Sequence, residues 1–517
     1  MNLRSTVLAV LSGLLLAVAF PLFNLHFLAW VALIPFFFAV KGASVKNGLW
    51  LGGIMGIVFF AITVHWIAHS LHFYGGFSLF SASLITLCLS AYLALYPALF
   101  GACVVSIRSN KPNLLFIAAP VFWTTLELAR TSVLSGFPWS LLGYTQCSVL
   151  PIIQIADITG VYGVSFFIVL VNAALATIIM DRKNYGPLIT AVVVGILVLG
   201  YGFLKLRAQE ASSRGIEISV IQGNIEQDNK WDRAYQSEVM ETYKRLTSDA
   251  LTQQPDLIVW PETATPFYFT GVGATDRTMT ADLVKFVKRN HVALLTGSPT
   301  YEMQPNRRAI GRNSAFLINR DGRIDAVYHK IHLVPFGEYV PLEKVLFFIK
   351  KMVRAIGAFQ AGDEYTIMTV PYGEAGLRKD AKLCTVICYE IIFPDLVRKF
   401  VDRGAEIVTT ITNDAWFGKT AAPYQHFSMA VFRAVENRVP IARAANTGIS
   451  GFIDSRGRIL ETSAIFTEAD LTHKLEPGTE RSLYTRYGDI FSCTCMMVSL
   501  ILLAAVPKKA NSARESL

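Results

Sequence analysis

The chain has 517 residues, of which 53% are hydrophobic and only 16% charged, and its formal net charge is +9. Soluble domains carry about a quarter of their residues as charged side chains, so an entirely water-soluble protein is excluded and apolar surface must meet lipid. The seven cysteines form no paired framework, which excludes a disulfide scaffold.

Apolar residues concentrate in the first two-fifths of the chain. Segments 5–23, 27–40, 49–69, 80–105, 113–129, 155–180 and 187–205 approach or reach the length that crosses a bilayer as helix, and an eighth lies at 488–506. The second is short enough to be re-entrant. The expected layout is a multi-pass bundle of about eight spans: seven helices in 1–210, a domain of soluble composition at 215–475, a last helix at 485–507 and a tail at 508–517. Alternate connections carry Lys41 and Lys46, Arg108 and Lys111, and Arg182 and Lys183; Arg4 precedes the first span, and Lys508, Lys509 and Arg514 follow the last. The intervening connections hold only Arg130. This asymmetry puts both termini in the cytoplasm and the soluble domain outside. It also accounts for nearly all of the net charge, so the basicity marks topology and no nucleic-acid partner is expected.

Ala17-Val18-Ala19 could serve signal cleavage, but the apolar character continues through Phe20, Leu22 and Phe23, which favours retention. His65, His69 and His72 recur at helical spacing near the end of the third span. No carboxylate completes a metal set there, and Trp66, Phe73 and Tyr74 suit headgroup contact or packing on the soluble domain. Glu127 and Arg130, three residues apart, are expected to pair, or to hold a phospholipid headgroup.

The soluble domain opens with the strand 216–224, followed by helix 233–252 and strand 256–260, which delivers Trp260-Pro261-Glu262. Helix 280–290, strand 292–297 and two hairpins come next, turning at Arg320-Asp321-Gly322-Arg323 and Ser455-Arg456-Gly457-Arg458. Strands 382–388 and 406–412 flank a helix near 393–403. The order predicts an α/β layered sandwich. Leu383-Cys384-Thr385-Val386-Ile387-Cys388 is a β-branched strand that ends in a thiol at a turn into helix, where the helix N-terminus favours thiolate. Cys384 belongs inside the sheet, and the bland reading makes both cysteines small core residues.

Glu262, Lys330 and Cys388 all emerge at strand ends, where loops of α/β sheets converge on ligands. A carboxylate that takes a thiol proton, a thiolate that attacks a carbonyl and an ammonium that steadies the oxyanion form a plausible machine for acyl transfer. Trp260-Pro261-Glu262, Lys330 followed by Leu333-Val334-Pro335-Phe336-Gly337-Glu338, and Cys388-Tyr389-Glu390 together resemble the nitrilase, or carbon-nitrogen hydrolase, superfamily. That likeness implies a Glu-Lys-Cys triad on an αββα sandwich. The enclosing spans narrow it to the membrane-embedded apolipoprotein N-acyltransferase family. The resemblance then implies an inner-membrane enzyme with its catalytic domain in the periplasm. Its cysteine takes an acyl chain from a phospholipid as a thioester and gives it to the α-amine of a lipoprotein's diacylglyceryl-cysteine. It implies no cofactor and no metal, and a monomer is expected.

Glu338 resembles the superfamily's second glutamate, as orienter of Lys330 or as proton carrier. The Tyr389 N–H and Lys330 are the expected oxyanion donors, and Glu390 reads as structural. Asn413-Asp414-Ala415-Trp416 resembles a family loop facing the site, and Trp231 matches a family position. Phe267-Tyr268-Phe269 looks costly to expose. Stretch 342–357 sets Val345, Leu346, Phe347, Phe348, Ile349, Met352 and Val353 against Lys344, Lys350, Lys351 and Arg354, as a helix in a headgroup layer does. Both are expected to be arms that admit acyl chains, with ordinary packing on the bundle as the alternative. Arg433, Glu436 and Arg438 are expected to brace the fold. Three other functions remain open: an amidase or nitrilase using the same triad, a transporter with an external binding module, and a Cys-His-Asp hydrolase using His426.

Overall fold

The computed structural model describes residues 2–110, 114–207, 215–230, 234–271, 273–303, 309–339, 359–373 and 378–505. They form two compact units, one of Met1–His65, Ser83–Gly202 and Asp489–Leu517, the other of Trp66–Ala82 and Phe203–Gly488.

Among the described residues, four helices are long and apolar enough to cross a membrane: Val45–Thr63, Leu79–Arg108, Val161–Met180 and Gly186–Arg207. Leu3–Val18, His26–Ala39, Leu150–Thr159 and Ile490–Ala504 are shorter apolar stretches, and Leu115–Ser132 is a helix that carries Glu127 and Arg130. Breaks that hydropathy averages over shorten several expected spans. The third ends at Thr63, because Val64 leaves helical geometry (φ −111°, ψ 15°). The sixth is interrupted at Gly160, whose φ is 64°. In the second, a 3₁₀ turn His26–Trp30 precedes the short helix Ile34–Ala39. Lipid cannot satisfy such irregular backbone. Here Asn172 accepts from Leu33 N–H (2.8 Å) and donates to Ala29 carbonyl (2.9 Å), while Ser12 Oγ accepts from Phe36 N–H (2.8 Å).

Close packing in this unit depends on small residues. Gly48, Gly52 and Gly56 recur every fourth residue on Val45–Thr63, and a Cβ at Gly52 would collide with the Pro97 carbonyl of Leu95–Asn110. Glu127 and Arg130 do not form the expected direct pair. Glu127 Oε1 accepts from Leu142 N–H (2.7 Å) and Trp123 Nε1 (3.0 Å), while Arg130 donates to the carbonyls of Phe137, Trp139 and Ser140 (3.2, 2.5 and 3.3 Å). The loop after the helix offers both charges nearer partners than each other.

The described residues of the second unit hold two six-stranded sheets. The strands are β1 (Ile216–Gln222), β2 (Leu257–Val259), β3 (Ala293–Met303), β4 (Ala309–Ile318), β5 (Ile324–His329), β6 (Met368–Tyr372), β7 (Lys379–Ile387), β8 (Ile407–Thr412), β9 (Ile441–Ala445), β10 (Gly451–Ile453), β11 (Ile459–Thr462) and β12 (Ala469–Leu475). One sheet runs β12-β1-β2-β3-β4-β5 and the other β6-β7-β8-β9-β10-β11. Each has a parallel core of three strands, β1-β2-β3 or β7-β8-β9, flanked by one antiparallel strand on one side and two on the other. β1 faces β9, and β4 faces β7. Helix Gln236–Ala250 packs on β1 and β12, and Ala274–Asn290 adds Leu283 and Val287 to the core formed with Ile258 and Leu294. Helix Pro394–Asp402 lies on β7, and Ala422–Asn437 lies beside it. The expected αββα layering is present, with β2, β5, β7 and β8 directing their carboxyl ends to one edge.

Candidate active site

β2 ends in a buried anchor, Trp260, whose Nε1 donates to Thr247 Oγ1 (2.9 Å) and whose ring stacks on Tyr243. Pro261 stops pairing and Glu262 follows, almost buried. Gly297 of β3 lies so near that a Cβ there would stand 2.7 Å from the Glu262 Cα. Glu262 Oε1 accepts from Asn313 Nδ2 (2.8 Å), and Oε2 accepts from the Asn413 N–H at the end of β8 (3.0 Å). Lys330, at the end of β5, sets its Nζ 3.6 Å from Glu262 Oε1 and 3.0 Å from Glu338 Oε1. Glu338 is held by the same Asn313 amide (2.9 Å) and by the Val334 N–H (2.8 Å). Glu338 thus forms an ion pair with Lys330, a contact compatible with both expected roles. Burial alone would lower the Lys330 pKa; the carboxylates of Glu338 and Glu262 outweigh it and hold the ammonium charged.

Cys388 ends β7 with φ 53°, a left-handed conformation that aims a side chain out of the strand's pleat. The short turn Cys388–Ile392 and helix Pro394–Asp402 follow. Burial pushes the thiol well above its usual range, the negative charge of Glu262 adds to this, and Lys330 and a hydrogen bond from Thr412 pull it back. The turn into helix was expected to favour thiolate; in the resting site desolvation outweighs that effect. The sulfur is a thiol until a base removes its proton; the carboxylates of Glu262 and, more weakly, Asp414 lie within electrostatic reach, and Asp414 is already held by Arg443.

Glu390 braces the turn. It is fully buried and accepts from Ile331 N–H, His332 N–H, Tyr328 OH and Ile387 N–H (2.7, 3.0, 2.7 and 2.7 Å). Tyr389 is buried, with its ring against Phe393 and His332. His332 stacks on Phe393 (3.8 Å), and burial followed by the Lys330 charge lowers its pKa to about 4, so a neutral imidazole lines this wall.

The N-terminal region matches the apolipoprotein N-acyltransferase N-terminal domain model over residues 12–174, and residues 217–483 match the carbon-nitrogen hydrolase model. An apolipoprotein N-acyltransferase of Geobacter metallireducens is 40% identical over 510 residues, covering 97% of this chain and 95% of that one. The chain belongs to the apolipoprotein N-acyltransferase family. Family enzymes of Pasteurella multocida and Haemophilus influenzae are each 32% identical, covering 93% and 98% of this chain and 91% and 96% of theirs. Among solved structures, the NitN amidase from Nesterenkonia sp. AN1 aligns with TM-score 0.39 and 20% identity over 53% of this chain and 98% of that one.

In this acyltransferase-family chain the other expected site residues divide. Phe267 and Phe269 are buried core, not an arm: Phe269 stacks on Phe316 (4.3 Å), and the segment lies along β3 through Phe269 N–H to Pro299 carbonyl (3.3 Å). Their apolar surface is covered by the sheet that Glu262 leaves. Trp416 packs its ring on Tyr74 (5.1 Å), and its carbonyl accepts from Ser70 Oγ (2.6 Å). The histidine stretch joins the same wall, with Trp66 on Phe417 and His69 against Gly418. Trp231, Phe347 and Phe348 lie outside the described residues.

His426 is held between the Cys388 backbone and Asp414. Its Nε2 donates to the Cys388 carbonyl (3.1 Å), and Nδ1 lies 3.1 Å from Asp414, which Arg443 holds at 2.9 Å. This buried cluster steadies the backbone at Cys388. Arg433 pairs with Glu436 (2.7 Å) and donates to the Ile392 carbonyl (3.1 Å), bracing the fold as expected. Sequence reasoning missed Asn313, His332 and Lys230. Lys230 is fully buried and donates to the Glu262 carbonyl (3.0 Å); its place just before Trp231 was the one available signal.

Proposed function

We propose that this chain transfers a fatty acyl group from a phospholipid to the α-amine of a diacylglyceryl-cysteine at a lipoprotein N-terminus, by way of a thioester on Cys388. The observation that carries the reading is the gathering of Glu262, Lys330 and Glu338 beside Cys388 in a chain related to N-acyltransferases over nearly its whole length. Glu262 takes the Cys388 proton as sulfur attacks the ester carbonyl; the C–O bond breaks and the lysophospholipid oxygen leaves with that proton. The acceptor amine then attacks the thioester, gives its proton to Glu262, and the departing sulfur recovers it. A thiol divides one slow ester-to-amide exchange into two easier substitutions. Lys330 and the Tyr389 N–H donate to the oxyanion in both halves, each worth about 100- to 1,000-fold in rate.

The reading extends to location: about eight spans in the inner membrane, with 215–475 in the periplasm, as the alternation of basic connections supports. Stretch 342–357 and Trp231 are assigned to the lipid path. Mass spectrometry of protein purified from membranes tests the proposal. A hydroxylamine-labile fatty-acyl mass on the peptide holding Cys388 is expected, and its absence after incubation with phospholipid would overturn it.

A further inference from the structure

The resting site contains more positive charge than a Glu-Lys-Cys triad accounts for. Two carboxylates, Glu262 and Glu338, share the Lys330 ammonium and the Asn313 amide. Buried charges that are not compensated are costly, and Lys330 alone leaves this group one charge negative beside a sulfur that must itself become negative. Lys230 restores neutrality. Its ammonium is fully buried, and its single described hydrogen bond runs to the backbone carbonyl of the base itself (3.0 Å), which leaves two N–H groups unspent. The short helix Gln227–Lys230 that carries it is tied to the same loop as the base: Asn413 Nδ2 donates to Gln227 Oε1 (2.7 Å) while the Asn413 N–H binds Glu262.

We infer that Lys230 is the second cation of the catalytic centre, one that stabilises the anion developing at Cys388, first the thiolate and then the tetrahedral oxyanion. It stays protonated throughout and exchanges no proton; the Cys388 proton still passes to Glu262 and on to the leaving oxygen. The titratable groups facing it are Glu262 and Cys388, with Lys330 at the side-chain end of Glu262. Burial lowers its pKa to about 8 against the opposing pull of Glu262 and Cys388, so the cation is present at neutral pH and is lost as the medium becomes mildly alkaline.

The inference rests on Cys388 as nucleophile, but its test needs neither lipid nor lipoprotein. Alkylation of Cys388 by iodoacetamide in the full-length protein, followed on its own peptide by mass spectrometry, reads thiolate availability directly. At pH 7, Lys230→Arg should react near the wild-type rate and Lys230→Met at least about tenfold more slowly, the effect of losing a neighbouring charge worth one pKa unit or more. In phospholipid-dependent acylation, wild-type rate should fall as pH rises through about 8, whereas Lys230→Arg keeps its rate because guanidinium stays charged. Equal alkylation of Lys230→Met and wild type, or equal slowing of the Arg and Met variants, would overturn the assignment. Should the Met variant fail to fold, the Arg variant decides alone: an alkaline fall unchanged from wild type refutes it. Failure of the acyl-transfer reading would instead appear as normal alkylation without acylation by phospholipid.

Discussion

Asn313 couples the two carboxylates of the site. Its one amide nitrogen donates to both Glu262 (2.8 Å) and Glu338 (2.9 Å), and its backbone carbonyl accepts from the Lys330 N–H (2.9 Å). Asn313→Leu keeps the shape and the backbone bond but removes the shared donor, so the two carboxylates separate and Lys330 follows one of them. A misplacement of about 1 Å typically costs about 100-fold in rate, and that is the expected fall in acylation of Cys388, with the thermal midpoint little changed. Single-turnover acylation of the variant checks it. Asn313, His332 and Lys230 were not legible in the sequence because each acts on residues far away along the chain. A polar residue within an alternating strand reads as an ordinary pleat position until its cross-sheet neighbours are known.

At the scale of elements, the turn after β7 depends on Glu390. Its carboxylate collects four donors, three of them backbone N–H groups. Burial raises its pKa from 4.5 to about 7 against those donors. The folded state therefore binds a proton that the unfolded chain has lost, so this group's contribution is complete below about pH 4.5 and declines as pH rises through 7. Glu390→Gln places an NH₂ or loses an acceptor where N–H groups point in. It should destabilise by about 1–3 kcal/mol and remove that slope, as unfolding midpoints between pH 5 and 7 will show. The lipid contact proposed for stretch 342–357 predicts that Phe347→Ser with Phe348→Ser slows turnover on long-chain phospholipid while the unfolding midpoint holds. Unchanged turnover would remove the arm from the account. Strands were legible from their β-branched runs, and the strand ends located Glu262, Lys330 and Cys388. Phe267 and Phe269 were misread because an aromatic run beyond a polar turn gives no sign that it folds back along β3. The breaks at Val64 and Gly160 vanish in any hydropathy average.

In the whole molecule, an apolar bundle and an α/β sandwich occupy one chain, with Trp66–Ala82 leaving the former's sequence to join the latter's compact unit. The sequence left headgroup contact and packing on the soluble domain both open for this stretch, and its contacts with Trp416 and Phe417 decide for the second. A hydrolase of small amides has no use for such a bundle, whereas an enzyme that must lift an acyl chain out of a bilayer does. What distinguishes the two is whether a fatty acyl group pauses on sulfur before passing to an amine. Full-length protein incubated with phospholipid labelled in its acyl chains, then freed of all donor, should hold label on Cys388 and deliver it as an amide when a diacylglyceryl-cysteine peptide is added. Label that moves only while donor is present, or that passes to water, would contradict it.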